Sequence, residues 1–147
     1  MSKLFQALLS GIFVTFILDF FLFLGIKVNY TDNFDTKLYY NILFADNQNI
    51  VLFTLSSILL GYIVIYVNNK IALSIIGVLF MLSLATLIQP VGSFVGELLF
   101  LEKNVSLKTD KFSYRGDIYY RGRKDIIFYD YKLNKILYFD KNTIQGN

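Results

Sequence analysis

Asp19 sits where a carboxylate is costly. It lies in the apolar run Leu4–Ile26, four residues past the middle, where a charged side chain costs roughly 2.5–3.5 kcal/mol on insertion scales. A residue so placed must face a partner group or a water-filled cavity. It can hydrogen-bond or pair across a helix interface, or it can relay a proton or an ion. A relay needs several ionisable groups through the membrane, and the other two long apolar runs, Ile50–Val67 and Ile71–Ile88, contain none. The first role is therefore the main expectation and the relay the alternative. Thr15, one turn earlier, and Gln89 complete the intramembrane polar set.

The cluster Arg121-Gly122-Arg123-Lys124, set among aromatics, is the other place where binding chemistry can be read. Its plain reading is a solvated hairpin turn. Its functional reading is contact with the phosphates of anionic lipid; single-stranded nucleic acid, held by charge and stacking, is not expected. Glu97, Glu102, Asp110, Asp117 and Asp125 match no calcium-loop spacing. The chain has no cysteine and no histidine, which excludes disulfides, zinc of the Cys/His type, histidine-ligated haem and a Ser–His–Asp triad. No glycine-rich phosphate loop, GxSxG or HExxH occurs. No catalytic residue, metal, cofactor or small-molecule substrate is expected, and the chain reads as a non-enzyme.

The elements that hold these residues are mostly apolar. The 147 residues are 55% hydrophobic and 17% charged, with mean hydropathy +0.51, a membrane-class composition. Three spans are expected, at about 4–26, 50–67 and 71–88, in a bundle covering 1–101. The turn Asn68-Asn69-Lys70 makes the second and third a hairpin. Lys3 before a run too long for a signal peptide, with no small-x-small cleavage site after it, suggests an uncleaved anchor. In the first loop, Leu38–Phe44 reads as a short interfacial helix or a plain loop. Pro90 predicts a kink, after which 91–101 continues the third helix or lies along the interface.

Small residues recur at helical spacing in every span. Ala7, Gly11, Thr15 and Asp19 line one face of the first; Thr54, Ser57 and Gly61 line one face of the second. Ser74, Gly77, Met81, Ala85, Gln89, Gly92 and Gly96 follow in steps of three or four through the third and beyond. Such stripes let helices approach closely in lipid, so Gly11, Ser57, Gly61, Gly77, Ala85, Gly92 and Gly96 are the expected packing positions.

Residues 102–147 change character. Phe112–Tyr120, Asp125–Tyr131 and Lys135–Asp140, separated by turn-forming residues, read as strands of an antiparallel meander, with Val105–Lys108 as a possible fourth. So small a sheet cannot hide Tyr119, Tyr120, Phe128, Tyr129, Tyr131, Tyr138 and Phe139 on one face. These seven are the expected docking surface for another protein or a second copy. Ten of the 14 Lys and Arg lie beyond residue 102, which by the positive-inside rule favours a cytoplasmic tail on a bacterial inner membrane. The expectation is a non-catalytic membrane subunit that assembles a larger complex; the alternative is part of an ion-conducting or transport assembly using Asp19.

Overall fold

A computed structural model describes residues 2–34, 38–109 and 112–145. Asp110, one of the five carboxylates named above, and Lys111, one of the ten cations beyond residue 102, lie outside the described residues. Helix α1, Lys3–Ile26, starts at Ser2, whose hydroxyl caps the Phe5 N–H. A π turn, Lys27–Thr31, and a 3-10 turn, Asp32–Phe34, carry it on, so that Lys3–Phe34 is 32 residues of apolar helix. At 1.5 Å per residue that is about 48 Å, well beyond the ~30 Å hydrocarbon core. Its C-terminal third is accordingly clothed in protein: Phe23, Ile26 and Tyr30 are buried, while Leu4, Phe5, Leu9 and Phe13 are exposed.

The expected class, three transmembrane helices with a hairpin of the second and third, is corrected. Among the described residues the architecture is five α-helices and an antiparallel sheet, and only α1 with its continuation to Phe34 is by itself long and apolar enough to cross a membrane. The other apolar runs are cut. Helix α2, Tyr40–Asn47, meets α3, Ile50–Tyr66, at 83°; α4, Asn69–Ala85, meets α5, Gln89–Phe100, at 89°. Helices α3 and α4 have 17 residues each, about 25 Å of rise. The first break falls where the Asn49 side chain caps Val51 and Leu52. The second falls at 86–88, with Pro90 in the first turn of α5, where its missing N–H costs nothing.

Both α3 and α4 pack mainly on α1. Helix α3 runs antiparallel to it, with Gly61 against Ala7 and Gly11 against Ser57. Helix α4 runs parallel, the Ser83 hydroxyl donating to the Leu18 carbonyl and Thr86 reaching the Phe21 carbonyl at 3.3 Å.

Four strands form the meander: β1 Glu102–Thr109, β2 Ser113–Arg121, β3 Asp125–Asp130 and β4 Lys135–Asp140. A 3-10 turn, Lys141–Thr143, then takes the chain across to the far edge, where the two-residue β5, Ile144–Gln145, pairs with β1, giving the order β4-β3-β2-β1-β5. Bringing the last strand back beside the first curls the sheet round Leu107, Ile118, Ile126 and Phe128. Two bulges steer it. In β2, Ile118 opposes Phe128 but Tyr120 opposes Ile127, so Tyr119 is the extra residue. That one-residue slip turns Tyr120 out of the sheet's own core to the face that Ile127 takes by ordinary alternation. Both join a second core with Phe23, Ile26, Tyr30 and Leu43 from the helical part and Leu38 from the segment before α2. The other bulge, in β1, puts Asn104 at φ 57; its N–H donates to Asp117 at 2.8 Å and its side-chain oxygen accepts from Arg115 at 2.9 Å.

Candidate functional site

Asp19 ends the buried stripe Ala7–Gly11–Thr15 on α1 and points at the break between α2 and α3. The Gln48 amide donates to its carboxylate at 3.0 Å. Among the described residues no lysine or arginine pairs with it; the ion pairs there are Lys27–Asp32, Arg121–Glu102 and Arg123–Asp46. Asp19 lines two cavities. One, of about 230 Å³, lies towards α3 and carries Thr15, Gln48, Asn49 and Ser56. The other, of about 380 Å³, lies towards α4 and α5 and is mostly apolar, with Leu79, Leu82, Val91 and Val95. The Thr15 hydroxyl, the Gln48 Oε1 and the Ser57 hydroxyl are buried without a hydrogen-bond partner. Asp19 and Thr15 are thus brought together, and Gln48, which sequence reasoning missed, joins them. Its only signal was the polar triplet Asn47-Gln48-Asn49 ahead of an apolar run.

Gln89 stands apart from this group, exposed at the start of α5. The carbonyl freed at the α4–α5 break is taken instead by Asn29, whose Nδ2 donates to the Thr86 oxygen at 2.9 Å. The stripe running from Ser74 to Gly96 is not one face, because the chain turns at 86–88. Ser74 and Met81 are exposed, and a Cβ on Gly77 would meet nothing within 4 Å; α4 buries Ala72 and Ser83 instead, and Ala85 is half-buried. Gly92 and Gly96 lie on α5 under the π turn, where a Cβ would strike the Thr86 carbonyl at 2.2 Å and the Tyr30 ring at 2.3 Å.

The aromatics expected to await a partner are largely used within the chain. Tyr120 is 1% exposed and Phe128 is fully buried. Tyr119 stacks on Phe34 at 4.0 Å and Phe139 packs on Tyr114 and Phe128. Tyr129 is half-buried between Tyr119 and Tyr131. Tyr131 and Tyr138 stay exposed. The dock between sheet and helices centres on Asp46 of α2, which accepts from the Tyr120 hydroxyl and the Arg123 N–H, both at 3.0 Å. Burial, then the Asp46 charge, holds the Tyr120 hydroxyl well above the usual tyrosine range. Arg123 also donates to the Ala45 carbonyl at 2.8 Å, near the end of α2, a placement the helix dipole favours. Arg121 is held by Glu102 through two bonds of 2.9 and 3.0 Å. Two of the three cations expected at lipid phosphate therefore carry internal partners, and Lys124 alone of the three has no ion pair among the described residues.

No protein-family model matches the chain, and no curated protein or solved structure shows significant similarity to it.

Proposed function

We propose that the protein is a non-catalytic subunit anchored in a membrane by α1, which helps assemble a larger membrane protein complex. The observation that carries this is a surplus of exposed apolar surface. Helix α1 is long enough to cross alone, yet α3 and α4, each shorter and bent against its neighbour, are as apolar outside as a lipid-facing helix: Leu55, Leu59, Leu73 and Met81 are 59–74% exposed. Apolar surface on that scale marks contact with lipid or protein, and short apolar helices beside a spanning one are suited to contact with neighbouring subunits. The sheet adds Tyr131 and Tyr138 on the outside.

The test is a mild-detergent pull-down of the tagged full-length chain beside Leu55→Ser/Leu59→Ser, with co-purifying proteins identified by mass spectrometry. The reading expects a defined set of membrane proteins with the wild type, and loss of some of them in a variant that still sediments with membranes. Recovery of the chain alone, as a monomer, from both would overturn it. The second reading, a component of an ion-conducting or transport assembly, draws its support from the polar cavity beside Asp19. Asp19→Asn separates the two, since a scaffold keeps its partners with the amide and a relay loses flux while still assembling.

A further inference from the structure

We infer that the cavity between Asp19, Thr15 and Gln48 is a binding site for one small monovalent cation. The cavity holds a negative charge with no cation beside it. A carboxylate only accepts hydrogen bonds, and Asp19 receives one from Gln48 Nε2. That bond fixes the amide, because the opposite orientation would press Oε1 against the carboxylate, and it leaves Gln48 Oε1 buried with no donor. Thr15, 3% exposed, lines the same cavity with its hydroxyl oxygen unpartnered. The Val51 and Leu52 N–H groups at the start of α3 go to Asn49 Oδ1 at 3.0 and 3.2 Å, and the donors left on the lining side chains, the Asn49 amide and the Thr15 and Ser56 hydroxyls, are all neutral. No lysine or arginine lines either cavity at Asp19.

The cavity thus presents oxygens and one negative charge, with neutral donors but no cationic group to balance that charge. Buried acceptors left so are costly, and what completes them must carry positive charge or donate protons. One carboxylate sets the charge at one; no group of three acidic, histidine or cysteine ligands occurs among the described residues, as a divalent ion held by protein oxygens would ask. A volume of about 230 Å³ admits the ion with waters, each of which occupies ~30 Å³. The site does not rest on the scaffold reading, since a subunit of either kind can hold a structural or a coupling ion.

The test is thermal unfolding of the full-length protein in detergent, with NaCl titrated against choline chloride at constant ionic strength. A saturable rise in Tm with Na⁺ is expected. Thr15→Val should be at least as stable as wild type in choline, because its hydroxyl has no partner, yet need about ten-fold more Na⁺, the equivalent of one lost ion contact. Asp19→Asn should abolish the rise. Parallel LiCl, KCl and methylammonium titrations identify the ion, and a saturable response to any of them that depends on Thr15 and Asp19 supports the site. No discrimination between Na⁺, K⁺, Li⁺ or methylammonium and choline would mean that water alone fills the cavity, and would overturn it. So would a Thr15→Val response equal to wild type, whether or not Asp19→Asn folds.

Discussion

Alanine substituted for glycine should change stability in opposite directions at Gly61 and Gly77. A Cβ on Gly61 would stand 2.1 Å from the Ala7 carbonyl oxygen, against the 3.4 Å at which ordinary contact begins, a shortfall of 1.3 Å. The obstacle is backbone, so no rotamer change relieves it, and α1 and α3 must separate along their shared face. Overpacking of this kind costs about 1–3 kcal/mol, and with helix backbone on both sides the upper end applies. A Cβ on Gly77 meets nothing within 4 Å, so Gly77→Ala only replaces a poor helix former with the best one and should gain about 0.8–1 kcal/mol. Both variants would be unfolded reversibly in mixed micelles of increasing SDS fraction, followed by far-UV circular dichroism. A Gly61→Ala variant within about 0.5 kcal/mol of wild type would mean that α1 and α3 do not cross so closely. A loss at Gly77 in the isolated chain would show equally that α4 is packed otherwise than described.

Tyr120→Phe removes a hydrogen bond to a carboxylate and should cost about 1.5–3 kcal/mol in chemical unfolding. It should also blunt the alkaline limb of stability. A phenol whose folded pKa is raised binds its proton more tightly when folded, so its contribution is whole below the unfolded value of ~10 and falls away above it; Tyr40, pushed up to about 12 by burial and then by the Asp19 charge, should add a loss between pH 10 and 12. An unchanged slope above pH 10 in Tyr120→Phe would contradict this. Asp130→Ala strips the acceptor from the Lys132 and Leu133 N–H groups, held at 2.8 and 2.7 Å; melting should report a loss of about 2 kcal/mol, whereas a neutral result would mean that the β3–β4 turn does not depend on it. A soluble reporter fused after residue 34 should sediment with membranes and resist carbonate extraction; release by carbonate would refute α1 as an anchor.

What the sequence made legible was local. The stripe Ala7–Gly11–Thr15 and its counterpart Ser57–Gly61 follow from spacing alone, because each lies within one unbroken helix. The strands were visible because alternation and turn residues are local as well, although β1 begins three residues earlier than the expected Val105–Lys108. The stripe from Ser74 to Gly96 misled because periodicity assumes a straight helix, and the turn at 86–88 rotates Gly92 and Gly96 out of register. Thr86 and Pro90 flank that turn, but what holds it is Asn29, 57 residues away, and no spacing rule reaches so far. The docking surface was overestimated for a similar reason. Counting aromatics against the area of a lone sheet omitted the helices as a second wall, and a bulge at Tyr119 has no signature in Asp117-Ile118-Tyr119-Tyr120.

That bulge makes β2 a party wall. Ile118 belongs to the room inside the sheet and Tyr120 to the room shared with the helices, so neither room can be closed without the same strand. During synthesis the helices emerge first, with Ile26, Tyr30 and Leu43 lacking a lid until the chain has been made past Ile127. Only then do both enclosures shut together. A chain shortened after α5 would therefore be an unfinished protein rather than a bundle without its tail, and the sheet cannot be exchanged for another as an independent cassette.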